Sequence, residues 1–119
     1  MRKVSDNNKY DLEERTTAFA YKVRQILKNV SKTVTNLDDI KQVIRSSGSI
    51  GANYMEANDG ISEKDTKYRI KICRKEAKET KYWLTIIDVS EEEQKEIDLL
   101  KTEADELMRI FGAILKKIK

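Results

Sequence analysis

Five lysines recur every three or four residues along one segment of the chain, a spacing that places them on a single helical face. A row of lysine ammonium groups can bind successive phosphates of a nucleic acid. Arg24 and Lys28 add cations beside the aromatic Tyr21 on an earlier helix, a combination that also favours nucleic acid. A solvated outer face would explain the same pattern, so both interpretations stay open. This lysine stripe consists of Lys64, Lys67, Lys71, Lys75 and Lys78.

Acidic residues form a second candidate site. Antiparallel pairing of two helices around a turn near residue 60 would place Arg45 opposite Glu76 and within reach of Glu79. Asn53 and Glu56 are expected to extend this charge network toward the turn. A partly buried arginine with two carboxylates more often fixes register or specificity than it catalyses a reaction. We therefore interpret these residues as a structural network.

Residues for recognisable catalysis are missing from the sequence. The chain has no histidine, which is the usual general base and metal ligand. Its one cysteine, Cys73, falls on an apolar helical stripe and is expected to be a small buried hydrophobe. Glu76 and Glu79 alone are weak candidates for a pair of catalytic carboxylates. We expect a non-enzymatic protein with no metal, no cofactor and no small-molecule substrate.

Residues 48–51, Gly-Ser-Ile-Gly, match the GXXG loop that clamps nucleic acid in KH modules. KH folds need strands, and the hydrophobic pattern predicts none. A phosphate-binding loop would need a Gly-Lys-Ser/Thr ending. Because glycine costs a helix about 1 kcal/mol relative to alanine, we interpret the segment as a place where the second helix packs closely. The small residues expected there are Ser47, Gly48, Gly51 and Ala52.

Four amphipathic helices are predicted to position these residues, over about residues 8–31, 37–58, 63–88 and 91–118. Asn36, Ser62 and Ser90 are the expected N-caps. The fold class is all-α: one domain over residues 1–119, an up-down-up-down antiparallel four-helix bundle. The core of the second helix is predicted to contain Leu37, Ile40, Ile44, Ser47, Gly51, Tyr54 and Met55. The core of the third is predicted to contain Ile70, Cys73, Ala77, Thr80, Leu84 and Ile87.

The third helix carries a second apolar edge, which contains Ile72, Trp83 and Ile86, with Tyr82 at its rim. A monomeric bundle needs only one apolar stripe per helix. An extra edge with a tryptophan indicates a subunit interface. We therefore expect the protein to form a homo-oligomer.

Composition narrows the choice of partners and location. The formal net charge is +3, which is too small to imply nucleic-acid binding by itself. No run of about 18 apolar residues is present, so no membrane partner is expected. The N-terminus lacks an apolar signal segment, and the protein is expected to be cytoplasmic.

Two segments resemble the bacterial four helix bundle protein family, also called the 23S rRNA intervening-sequence protein family. They are residues 44–57, IRSSGSIGANYMEA, and residues 71–84, KICRKEAKETKYWL. The resemblance implies an up-down-up-down bundle that assembles as a homopentamer, and it implies no catalytic residue. A related bundle, the accessory variability determinant of diversity-generating retroelements, is a basic pentamer that binds nucleic acid and a reverse transcriptase.

Two functions are compatible with the sequence. The first is a non-enzymatic homo-oligomer that binds RNA, DNA or a nucleoprotein partner through its lysine-rich outer faces. The alternative is a protein-protein interaction or scaffolding module, which binds another polypeptide through the apolar edge near Trp83 or through an end of the ring and does not bind nucleic acid.

Overall fold

The structure, a computed structural model, describes residues 4–118 and the side chains of residues 12–118. The described chain contains four helices and no strand: α1 (Val4–Leu27), α2 (Val34–Asn58), α3 (Glu63–Ile86) and α4 (Glu91–Lys117). The predicted all-α fold of four helices is confirmed. None of the described helices combines the length and the apolar character that crossing a membrane would need. The cytoplasmic location stays a prediction.

Consecutive helices pack side by side and run antiparallel. Arg45 of α2 contacts Glu79 of α3, whereas Asn53, eight residues later in α2, contacts Arg69, ten residues earlier in α3. Lys81 of α3 likewise lies beside Asp105 of α4. Within the described residues α1 contacts α2 and α4 but not α3, so α1 and α3 lie diagonally. This is the arrangement of an up-down-up-down bundle.

An arginine joins the first and last helices. Arg15 Nε lies 2.7 Å from Glu103 Oε2, and its Nη2 also donates to Glu103 and Glu106. These two carboxylates raise the pKa of Arg15, chiefly through the hydrogen bond to Glu103. The seam between α1 and α4 therefore depends on a charged clasp in addition to its apolar contacts.

Side-chain caps start three of the helices. Ser62 accepts a hydrogen bond from the Asp65 backbone N–H, and Ser90 forms a reciprocal capping box with Glu93, as predicted. The prediction of Asn36 as a cap was wrong, because α2 begins at Val34 and Thr33 is its N-cap. α1 also ends at Leu27, earlier than predicted, because the chain turns there to bury Val30.

Asn36 instead joins two loops at one end of the bundle. Its Nδ2 donates to the Ser31 and Asp88 carbonyl oxygens at 3.1 and 2.7 Å. Its Oδ1 accepts from the Asp88 backbone N–H at 3.1 Å. The side chain is buried, and these bonds supply the partners that a buried amide requires. Asn36 thus ties the α1–α2 loop to the α3–α4 loop.

The core of α3 is buried as predicted, but the core of α2 contains two errors. Ile40 and Tyr54 are buried, whereas Leu37 and Met55 are exposed. Leu37 and Met55 are 18 residues apart, which is five full helical turns, so they share one face. That face points outward from the bundle. The predicted core side chains of α3 that are buried are Ile70, Cys73, Ala77, Thr80, Leu84 and, just after the helix, Ile87, and Glu76 is buried as well.

The two glycines of α2 occupy different environments. A Cβ at Gly51 would lie 3.0 Å from Thr16 Oγ1, so α1 and α2 approach closely there, as predicted. A Cβ at Gly48 would meet only the Arg24 guanidinium, at 3.5 Å. Ala52 is exposed. Close packing within the subunit therefore explains Gly51 and the buried Ser47 but leaves Gly48 and Ala52 without a packing role.

Candidate nucleic-acid interface

Part of the lysine stripe forms one wall of an open groove between α3 and α4. The groove has a volume of about 520 Å³. Cationic side chains line both walls, and the residues of the floor are apolar or lack a side chain. The lining residues are Lys71, Arg74, Lys75, Lys78, Met108, Arg109 and Gly112.

Helical spacing brings the cations of α3 to this groove. Lys71, Lys75 and Lys78 follow one another by four and three residues and are all exposed. Lys64 is exposed and Lys67 half-buried, and they continue the stripe toward the start of α3 without lining the groove. The structure therefore divides the predicted stripe into a groove wall and an extension.

Most of the groove's cations have no carboxylate partner among the described side chains. None of the ion pairs formed within residues 12–118 includes Lys71, Arg74, Lys75 or Lys78. Arg109 differs, because its Nε lies 3.0 Å from Asp105 Oδ2. The groove is thus a concentration of positive charge, which attracts a polyanion.

Asp105 lies beside the groove and balances two cations. Its Oδ1 accepts a hydrogen bond from Lys81 Nζ at 3.0 Å. This hydrogen bond is the main cause of a lowered pKa, and the charges of Arg109 and Lys81 act in the same direction. Asp105 therefore stays ionised and confines the unbalanced charge to the part of the groove nearer Lys71.

Gly112 contributes no side chain to the floor of the groove. The Arg74 side chain passes over it, with Cδ 3.8 Å and Nη1 3.9 Å from the position of an added Cβ. Those are ordinary contact distances, so the subunit has room for alanine there. Glycine costs the interior of α4 about 1 kcal/mol relative to alanine. Glycine at this position gives the Arg74 side chain room to lie close to α4.

The cations predicted on α1 lie elsewhere. Arg24 and Lys28 are exposed, but α1 is diagonal to α3 and does not contact it within the described residues. Arg24 Nη1 donates to the Ala20 carbonyl oxygen at 3.1 Å. Tyr21 borders a shallow depression that also contains Glu13 and Glu14, which would repel phosphates. The structure does not bring these residues to the groove.

The predicted charge network divides into two parts. Arg45 Nη1 lies 3.4 Å from Glu76 Oε1, and Nη2 lies 3.0 Å from Glu79 Oε1, which is the contact that antiparallel pairing predicts. Asn53 does not join them, because its Oδ1 accepts from Arg69 Nη1 at 3.0 Å. Glu56 is exposed and forms no ion pair with the described side chains.

The interior of this seam has no reactive nucleophile. The Cys73 thiol is fully buried and donates to the Ile50 carbonyl oxygen at 3.5 Å. Burial raises its pKa to about 12, so the thiol stays protonated at neutral pH. Among the described residues, no group of three His, Cys, Asp or Glu side chains could hold a metal ion.

The predicted apolar edge of α3 lies along its seam with α2. Ile72 and Trp83 are half-buried, and Ile86 is exposed. The Trp83 ring packs edge-on against Tyr82, with centroids 5.2 Å apart. Leu37 precedes Arg45 by eight residues and Ile86 follows Glu79 by seven, so the antiparallel register places these two exposed side chains at one level. The sequence pattern assigned Leu37 and Met55 of α2 to the core, so it did not predict that these exposed side chains belong to this surface.

Two arginines of the groove, Arg74 and Arg109, were also missed in the sequence. Pairing α3 with α4 around the centre of the loop at residues 87–90 makes facing positions sum to about 177, which places Arg109 opposite position 68, six residues from Arg74. The packed register differs from this simple pairing, so the sequence pattern does not bring the two arginines together.

Known proteins resemble the chain in both sequence and fold. A family model described as 23S rRNA-intervening sequence protein matches residues 8–113. A solved structure, described as a protein with unknown function from the S23 ribosomal protein family of Bacteroides thetaiotaomicron, has 28% identity and a TM-score of 0.74. The match covers 87% of this chain and 97% of that chain. No curated protein matches the chain.

Proposed function

The chain belongs to the 23S rRNA-intervening sequence protein family, and we propose that it is a non-enzymatic homo-oligomer that binds nucleic acid through the α3–α4 groove. The observation that carries this proposal is the set of four cations without carboxylate partners among the described side chains. They are Lys71, Arg74, Lys75 and Lys78. Each phosphate bound there would release condensed counterions, so affinity should depend strongly on salt.

Self-association is supported by the outward face of α2. Gly48 and Ala52 have no packing role within the subunit, and Leu37 and Met55 expose apolar surface on the same side. A second copy packed on this face and on the edge of α3 would bury both features. A ring of five copies, which the family resemblance implies, would repeat the groove and add avidity.

Fluorescence anisotropy with a labelled structured RNA and a labelled duplex DNA tests nucleic-acid binding. Lys71, Lys75 and Lys78 changed together to glutamate should abolish binding at micromolar protein. In the matched control, three exposed lysines outside the groove, Lys41, Lys95 and Lys116, are also changed to glutamate. This control should retain most of the affinity for nucleic acid. Four phosphate contacts predict a slope of about −3.6 for log affinity against log salt with the duplex DNA.

Two results would contradict this proposal. Equal losses in the groove variant and the control would show that only overall charge matters. No binding of either nucleic acid by the wild-type protein at low salt would remove the proposed function altogether.

Light scattering after size-exclusion chromatography tests the assembly. Leu37→Glu places a charge on the proposed interface and should lower the mass toward that of one subunit. Leu99→Glu, at a residue of α4 that is 63% exposed, is the control and should leave the mass unchanged. A wild-type mass of one subunit would rule out self-association.

The alternative function, a protein-protein interaction module, is favoured by the same apolar surface along α2 and α3. Its partner would be a different polypeptide that covers Trp83 and Ile86. A monomeric wild-type protein that binds no nucleic acid would favour this alternative over the first proposal.

A further inference from the structure

Two exposed tyrosines of α3, Tyr68 and Tyr82, flank the three lysines that line the groove. Tyr68 and Tyr82 are 59% and 57% exposed. The series from Tyr68 through Lys71, Lys75 and Lys78 to Tyr82 advances by three, four, three and four residues. This spacing keeps all five side chains on one stripe of the helix. The basic wall of the groove therefore begins and ends with an aromatic ring.

Neighbouring side chains support both rings. Tyr82 packs against the edge of Trp83, with an interplanar angle of 73°. The Arg69 guanidinium carbon lies 6.0 Å from the centroid of the Tyr68 ring. Each ring keeps more than half of its residue surface open to solvent. Such supported, accessible rings are suited to stacking on a planar ligand.

We propose that the groove binds single-stranded nucleic acid, with phosphates on the lysines and unpaired bases stacked on Tyr68 and Tyr82. This inference rests on the proposed nucleic-acid function and specifies its substrate. The bases of a duplex are already stacked on one another, so they cannot stack on protein rings without unpairing. Exposed rings on both sides of a phosphate track therefore add affinity only for an unpaired strand.

The distance between the tyrosines limits the length of the bound strand. They are 14 residues apart, which is about 21 Å along a helix. A strand rises about 3.4 Å per nucleotide when fully stacked and more when extended, so about six nucleotides or fewer span the two rings. The Arg74 side chain lies over Gly112 on the floor of the groove, where its guanidinium can contact the backbone of such a strand.

Anisotropy titrations with labelled 12-nucleotide uridine and thymidine strands and a 12-base-pair duplex test this inference. We expect the single strands to bind at least tenfold more tightly than the duplex. A shorter series should show affinity rising steeply up to about six nucleotides. A preference between RNA and DNA strands would identify the favoured sugar, and either preference supports the inference.

Tyrosine variants separate stacking from charge. Tyr68→Ala with Tyr82→Ala should weaken single-strand binding about 10- to 100-fold and leave duplex binding within about twofold. The corresponding phenylalanine variant keeps the rings and should bind like wild type. Tyr21→Ala, at an exposed tyrosine on α1, is the control. Circular dichroism and light scattering establish that each variant keeps its fold and mass.

The outcomes distinguish this inference from the function on which it depends. If the lysine variant loses binding but the tyrosine variant does not, or if duplex binds as tightly as single strands, the stacking inference is wrong and the groove remains a nucleic-acid site. If the wild-type protein binds none of the three ligands, both proposals are wrong.

Discussion

The two flanks of α3 use similar residues for different purposes. Toward α2, Arg45 pairs within the subunit with Glu76 and Glu79. Toward α4, Lys71 and Lys75 have no carboxylate partner among the described side chains. Charge that is balanced in place contributes to the fold, whereas charge that is not balanced is available to a ligand.

Buried polar groups extend the same contrast. Between α2 and α3, Thr80 Oγ1 lies 2.7 Å from Ser46 Oγ, and both residues are fully buried. Such bonds are costly to leave unmade, so they specify how the two helices pair. The flank toward α4 instead borders an open groove. Mutations on the first flank should therefore change stability, and mutations on the second should change binding.

Adjacent residues provide the strongest test of this contrast. Glu76→Lys would place an unpartnered cation at a buried position beside Arg45, and it should cost about 3–5 kcal/mol of unfolding free energy. Lys75→Glu, one residue away on the exposed face, should change stability by less than about 0.5 kcal/mol. Urea denaturation of both variants measures the difference. If the two variants lost similar amounts of unfolding free energy, the two flanks of α3 would not differ in their contribution to stability.

Alkaline pH should affect the stability of the α2 flank. Burial raises the pKa of Cys73 to about 12 in the folded chain, against 9.0 for a free thiol. Between these values the unfolded chain releases a proton that the folded chain keeps, so stability falls as pH rises. Cys73 should contribute a loss of about 2–3 kcal/mol between pH 9 and 11. Denaturation across this range should show a shallower decline in Cys73→Ala, and an unchanged slope would contradict the assignment.

Two arginines compare the flanks directly. Arg45→Ala removes the partner of buried Glu76 and should cost about 1–2 kcal/mol, reduced from a fully buried pair because Arg45 is half exposed. Arg74→Ala should leave stability nearly unchanged and weaken nucleic-acid binding several-fold. Denaturation and anisotropy on both proteins measure these effects. If Arg45→Ala stays folded but loses nucleic-acid binding, the binding site lies on the flank of α3 that faces α2, and its assignment to the flank that faces α4 is wrong.

Gly112→Ala should have the smallest effect on stability. The Cβ would have ordinary contacts with Arg74, and alanine should stabilise α4 by up to about 1 kcal/mol. The same change raises the floor of the groove and should weaken nucleic-acid binding slightly. Thermal unfolding and anisotropy on one preparation check both expectations. Unchanged stability would indicate that glycine is not a cost to α4.

Helical periodicity predicted the parts of the fold that depend on one helix at a time. The core stripe of α3 and the caps at Ser62 and Ser90 follow directly from local spacing. Leu37 and Met55 could not be assigned in this way, because an apolar residue at helical spacing fits either a core or an exposed interface. Which face points inward depends on the neighbouring helices.

The candidate site was predicted only in part for a related reason. The lysines of α3 are visible from their spacing, but the groove also needs Arg109 and Gly112 from α4. Their contribution depends on the register between two helices. Asn36 shows the same limit, because its partner Asp88 is 52 residues away in the sequence. Contacts of that kind are set by the packed bundle and leave no periodic signal.

The Asn36 bridge has a consequence for the order in which the chain matures. Residues 4–58 form one helical hairpin, and residues 63–117 form the second. The Asn36 amide reaches two of its three hydrogen-bond partners only at Asp88. During synthesis on the ribosome, the first hairpin is therefore complete in sequence before Asp88 is available to form these two hydrogen bonds with Asn36. Closure of that end waits for the loop between the last two helices to emerge.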